Sequence, residues 1–106
     1  MDKLLKTVVD VIDAKQGNNI QCLSFENASP FYDYFVIADV SNQRQLSALA
    51  DYVVEAVLNA GFAVHHIENW ILIDCNEVVV HLFLREQREI VKLEKLWRDH
   101  IMNYAG

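Results

Sequence analysis

Glycine is nearly missing from this chain: Gly17, Gly61 and Gly106 are the only three among 106 residues. Loops that cradle phosphates need glycine at fixed spacings, so a P-loop and a dinucleotide fingerprint are both excluded. Cysteine is equally sparse. Cys22 and Cys75 stand far apart, without metal or redox spacing, and read as buried thiols in a reducing cytoplasm. No nucleophile-elbow sequence occurs, and no two histidines have zinc-binding helical spacing. No metal or cofactor is therefore expected. No apolar run approaches the ~20 residues of a membrane-crossing helix. The opening Met-Asp-Lys-Leu-Leu-Lys has no signal-peptide pattern, which again suggests a cytoplasmic protein.

Positive charge is also scarce. The net charge is −6, and residues 1–84 hold 4 basic against 11 acidic side chains, while residues 85–106 hold 5 against 4. Nucleic-acid affinity rests on neutralising phosphates with Lys and Arg, so direct binding of RNA or DNA by the main body is disfavoured. A basic protein partner suits this charge better, since opposite potentials steer association. The plainer reading, that acidity maintains solubility, stands beside it.

What is present is apolar: 53% hydrophobic residues against 23% charged mark a folded chain, and the length fits one domain spanning residues 1–106. Leu4, Leu5, Val8, Val11 and Ile12 predict a helix over about residues 2–15, with Gly17 as its stop. Ile20 to Phe25 alternates as a strand, and Asn27-Ala28-Ser29-Pro30 is a turn or loop. Asp33 to Ala38, apolar on both faces, predicts a central strand. Leu46, Leu49, Ala50, Val53, Val57 and Leu58 predict a second helix, capped by Ser41 or Asn42 and ended before Gly61. Ala63 to Ile67 is a further strand. Ile90, Leu93, Leu96, Trp97 and Ile101 predict a C-terminal helix. The order α-β-β-α-β-β-β-α gives an α/β (α+β) domain: a mixed sheet of about five strands flanked by helices.

The richest stretch runs from Trp70 to Leu84. If Asn76-Glu77 is a two-residue turn, the pairs are Cys75–Val78, Asp74–Val79, Ile73–Val80, Leu72–His81, Ile71–Leu82 and Trp70–Phe83. Opposed residues share a face and faces alternate along a strand. One face is then wholly apolar: Ile71, Ile73, Cys75, Val78, Val80 and Leu82. The other carries Trp70, Leu72, Asp74, Val79, His81 and Phe83, a mixture suited to docking. A helix covering that face would instead make Trp70 and Phe83 core.

Catalytic readings find little support. His65 and His66 are adjacent and point to opposite faces of a strand. His81 lies diagonal to Asp74, but no Ser or Cys nucleophile accompanies them, leaving a polar pair on a sheet surface or interface. His100 reads as solvated. Asp33, Asp39 and Asp74 would hold magnesium only if strand ends brought them together, and nothing nearby would hold a nucleotide.

In combination these segments resemble the ribosomal silencing factor (RsfS, or Iojap) family over nearly the whole chain. Asp13 to Ile20 is similar to the family's "DKKGxDI" block. Asp33-Tyr34-Phe35-Val36-Ile37-Ala38 is similar to "DYFVIA". Ser41 with Arg44, Gln45, Ala48, Leu49, Ala50 and Asp51 resembles "S-x-x-RQ-x-x-A-x-AD". Trp70 to Asp74 and Val78 to Phe83 resemble "WxLxD…VVVHxF", and Arg88 with Leu93 to Trp97 resembles "R…LExLW". Five blocks in the right order are specific. The departures are Val40 where the family has Gly, Asn76-Glu77 where it has Gly-Asp, and Ile90-Val91 where it has an aromatic pair. The family's glycine-containing loop is also shortened between Glu68 and Trp70.

The resemblance implies a fold related to nucleotidyltransferases without their catalytic site, and a homodimer in isolation. It implies a non-enzymatic factor that binds the large ribosomal subunit through ribosomal protein L fourteen, blocks joining of the small subunit and lowers translation, with a related role in large-subunit assembly. Steric occlusion needs a few large anchors. Trp70, Leu72 and Phe83 are the candidates, oriented by Asp74 and His81, with Tyr34, Arg88 and Trp97 as further contributors. The competing readings are a small nucleotidyltransferase-like enzyme and a dimerisation module with no ribosomal role.

Overall fold

A computed structural model describes residues 2–102. The chain runs α1 (Lys3–Ala14), β1 (Asn18–Ser24), β2 (Tyr34–Val40), α2 (Gln43–Ala56), β3 (Ala63–Ile67), β4 (Trp70–Cys75), β5 (Val78–Leu84), α3 (Arg85–Val91) and α4 (Leu93–Leu96). Short 3-10 turns follow α2 at Leu58–Ala60 and α4 at Arg98–His100. The five strands form one sheet in the order β1-β2-β5-β4-β3. Its pairings are antiparallel except for β2 with β5, which is parallel. This is the mixed α+β sheet that the element order predicts.

Helices α1 and α2 each begin where a short side chain takes an otherwise unpaired backbone N–H. Asp2 Oδ1 accepts from the Leu5 amide at 3.0 Å, and Asn42 Oδ1, rather than Ser41, from the Gln45 amide at 2.9 Å. Helix α1 ends through Gln16 in a left-handed conformation (φ 64°), with the Gly17 amide donating to the Ile12 carbonyl at 2.8 Å. A Cβ on Gly17 would lie 2.4 Å from Ile12 Cγ2, so the glycine serves a close approach. Helix α2 stops at Ala56, two residues short of the Leu58 that its apolar spacing suggests, and Leu58 is exposed.

The sheet has two unequal faces. On one, α1 and α2 bury Leu5, Val8, Ile12, Leu46, Leu49 and Val53 against Val36, Ala38, Ile71, Ile73, Val80 and Leu82. On the other, a smaller cluster joins Leu23, Phe25, Phe35, Ile37, Val79, Phe83 and Leu93, flanked by half-buried Tyr32, Trp70, Leu72, Val91 and Trp97. Strand β2 is buried along its whole length, as its two apolar faces require.

The C-terminal segment is not one helix. Lys92 takes a left-handed conformation (φ 49°, ψ 46°) that breaks α3 from α4 and redirects the chain over the second face. There Trp97 meets Phe25 and Phe35 edge-on, with both ring centroids at 5.5 Å. His100, expected in solvent, stacks on Phe25 at 4.6 Å, and its Nδ1 lies 2.8 Å from the Ser24 carbonyl oxygen. Ile101 then bridges Leu23, and the Met102 amide donates to the Cys22 carbonyl at 2.8 Å, sealing the outer edge of β1. Strand β3, the opposite edge, is exposed at all five residues.

Candidate functional site

The hairpin folds in the register its sequence predicts, with Trp70 opposite Phe83, Leu72 opposite His81 and Asp74 opposite Val79. Its turn at Asn76 is left-handed (φ 67°), a conformation asparagine tolerates. Asp74 Oδ1 accepts from the Asn76 amide at 2.9 Å and so helps shape that turn. The β3–β4 connection is equally tight. Ile67 pairs directly with Trp70 across the two residues Glu68 and Asn69, which fixes where Trp70 leaves the turn.

These pairings place Ala63, His65 and Ile67 on the same face as Asp74, Leu72 and Trp70. The C-terminal cover reaches over β1, β2 and β5. The result is a half-covered face: Phe83 and His81 lie beneath, Trp70 and Leu72 are half-buried at the margin, and Asp74, His65 and Ile67 are open. Ile67 keeps 46% of its surface exposed, enough to extend the apolar rim.

This arrangement corrects several sequence-based expectations. Phe83, fully buried, and His81, 3% exposed, lie beneath the surface rather than on it, under the cover and the Trp70 indole. Tyr34 lies on the opposite, helix-covered face, where its hydroxyl donates to Glu26 Oε1, and that contact with burial pushes its pKa up to about 12. Trp97 belongs to the cover itself.

Arg88 is 7% exposed, and its guanidinium bonds through both Nη1 and Nε. Nη1 donates to Asp39 Oδ2 at 3.0 Å and to the Asn19 carbonyl at 2.6 Å, and Nε donates to Glu94 Oε1 at 3.2 Å. Asp39 also accepts from Arg85 Nε at 3.2 Å and Asn19 Nδ2 at 3.1 Å. This network locks α3 and α4 to the carboxyl end of β2. Asp33 and Asp74 sit at the opposite end of the sheet, so the three carboxylates do not converge. Among the described residues no group of three His, Cys, Asp or Glu side chains is placed to hold a metal ion, and no helix is long and apolar enough to cross a membrane.

His81 is paired with Trp70, not with Asp74. The indole Nε1–H donates to His81 Nδ1 at 3.2 Å, while Nε2 is buried with no partner among the described residues. The Trp70 ring stacks on Phe83 with centroids 5.0 Å apart. Burial pulls the His81 pKa down to about 3, so the imidazole is neutral around pH 7.

The sequence reading missed His65 and Ile67. Their place follows from the two-residue turn that pairs Ile67 with Trp70. An open groove between α1 and α2, lined by Asp10, Val11, Lys15, Tyr52 and Glu55, lies on the other side of the sheet and shares no residue with this patch.

Comparison with known proteins places the chain in a family. The family model described as "Ribosomal silencing factor during starvation" matches residues 1–104. A ribosomal silencing factor from Halalkalibacterium halodurans is 30% identical over 102 residues, covering 92% of this chain and 87% of that protein. One from Bacillus subtilis is 33% identical over 101 residues, covering 91% and 86%. A crystal structure of a protein from Chromobacterium violaceum superposes with a TM-score of 0.80 at 25% identity, covering 100% of this chain and 94% of that one. The half-covered sheet with its tryptophan rim is thus carried on a chain that belongs to the ribosomal silencing factor family.

Proposed function

We propose that this protein acts without catalysis, docking on the large ribosomal subunit through ribosomal protein L fourteen and blocking the small subunit from joining. Trp70 and Leu72 are the apolar anchors, Ile67 and His65 extend the patch along β3, and Asp74 supplies an acidic contact at its border. The observation that carries this reading is the uncovered half of the second face, where a half-buried indole and leucine stand beside open β3. Large aromatic anchors at such a margin bury area at low entropic cost and dominate binding energy. The acidic main body favours a basic protein over direct contact with nucleic acid. In the cytoplasm, away from the ribosome, the chain pairs as a homodimer, for which exposed β3 with Val64 and Ile67 is a suitable edge.

The test is co-sedimentation with purified large subunits, wild type beside Trp70→Ala, followed by a subunit-joining assay with added small subunits. The wild type should sediment with the large subunit and suppress joining. Trp70→Ala, folded by circular dichroism, should bind at least tenfold more weakly, because loss of a hot-spot tryptophan costs about 2 kcal/mol or more. A wild type that stays in the supernatant ends the proposal. A folded Trp70→Ala that binds normally removes the site.

A further inference from the structure

We propose that His81 is a positioning residue: its Nδ1 holds the Trp70 indole and sets the docking anchor in one orientation before any partner arrives. The inference rests on the docking role given to Trp70 above.

An indole nitrogen can only donate a hydrogen bond. The 3.2 Å contact from Trp70 Nε1 therefore requires an unprotonated Nδ1 on His81, and the ring must carry its single proton on Nε2. That second nitrogen is buried and, among the described residues, unpartnered. The imidazole is sandwiched in an aromatic row, with centroids 4.5 Å from Phe35 and 6.5 Å from Phe83. A phenylalanine would fill that row without burying an unpaired N–H, so packing gives no reason for an imidazole here. The acceptor at Nδ1 does.

Trp70 has the opposite problem. It stacks on Phe83, but its outer side is open and stacking alone leaves the ring free to slide. A hydrogen bond at the indole edge removes that freedom. The ordering cost is then met during folding, where β4 and β5 already fix the two residues diagonally, rather than at docking.

The chain contains two tryptophans, so a 15N-labelled sample gives two indole N–H signals, assigned with Trp97→Phe. In wild type the Trp70 indole proton should show a hydrogen-bonded shift and slow exchange, and the imidazole 15N shifts should place the His81 proton on Nε2. His81→Phe should release the indole signal to fast exchange, leave the remaining spectrum folded, and weaken large-subunit binding by about 3- to 10-fold. A second pair keeps volume matched should that variant fail to fold. His81→Asn retains an acceptor near the Nδ1 position and should keep the slow indole signal and tighter binding; His81→Leu, its apolar counterpart, should lose both. A proton found on Nδ1, or variants that free the indole yet bind like wild type, would overturn the proposal. Failure of wild type to bind the subunit sinks the docking reading alone, and the indole and imidazole signals still decide whether His81 holds Trp70.

Discussion

Replacing Arg88 by methionine removes the guanidinium while keeping most of the aliphatic stem. Asp39, 2% exposed, then retains only Arg85, which is half in solvent, and the Asn19 amide. Stripping one partner from a buried ion pair costs about 3–5 kcal/mol, because the remaining charge is left without compensation. Arg85 stays in reach, which points to the lower end, about 3 kcal/mol. For a domain of about 100 residues, each kcal/mol moves the melting temperature by at least ~4 °C, so a fall of about 12 °C or more is expected by scanning fluorimetry. Two comparisons isolate the cause. Arg85→Met, breaking the half-exposed pair, should cost about 1 kcal/mol or less. Adding Asp39→Asn to Arg88→Met should recover part of the loss, because the uncompensated charge is gone. If Arg88→Met melts within about 3 °C of wild type, the network does not hold α3 and α4 to the sheet, and the reasoning fails.

Three further outcomes follow from closely packed groups. His81 has a folded-state pKa of about 3 against the ordinary 6.5. The unfolded chain therefore binds the extra proton first: the stabilisation is fully present above pH 6.5 and is lost progressively as pH falls toward 3. Between pH 7 and pH 5 wild type should lose about 2 kcal/mol more than His81→Phe in urea titrations, and equal losses would contradict a buried neutral imidazole. Burial raises both thiols, Cys22 and Cys75, to about 11, so a thiol reagent at pH 8 should label them only in denaturant, and rapid labelling of the native protein would count against their placement. Gly17→Ala forces a methyl against Ile12 and should cost about 1–3 kcal/mol in urea unfolding, while an unchanged midpoint would mean that α1 shifts freely.

Periodicity made much of this fold legible. A two-residue turn and strict alternation determine the whole β4–β5 register, and a run apolar on both faces marks β2 as interior. A covering helix was one of two readings of the second face, and the choice between them was not legible, because it depends on a left-handed lysine. Ile90, Leu93, Leu96 and Trp97 keep helical spacing straight through Lys92, and no side chain there signals a break. Phe83 and His81 consequently look like surface residues in the sequence and are core in the fold. Arg88 sits in a run of alternating charges that resembles a solvated helix face, and its partner Asp39 lies 49 positions earlier. Only three dimensions join them. The tryptophan, leucine and aspartate of β4 were readable as one surface because neighbours two apart on a strand must share a face.

The seal of β1 by Ile101 and Met102 has a consequence for synthesis. Strands β1 to β5 and both long helices precede it, so the nascent chain can assemble its helix-covered face first. Phe25 and Phe35 gain their Trp97 and His100 cover only when the segment through Met102 has been made and folded back. Until then an aromatic patch and the outer edge of β1 are both bare. The cover is therefore the last part of the fold to be made, and a released chain cut short near Val91 would be an aggregation-prone intermediate rather than a smaller version of the protein.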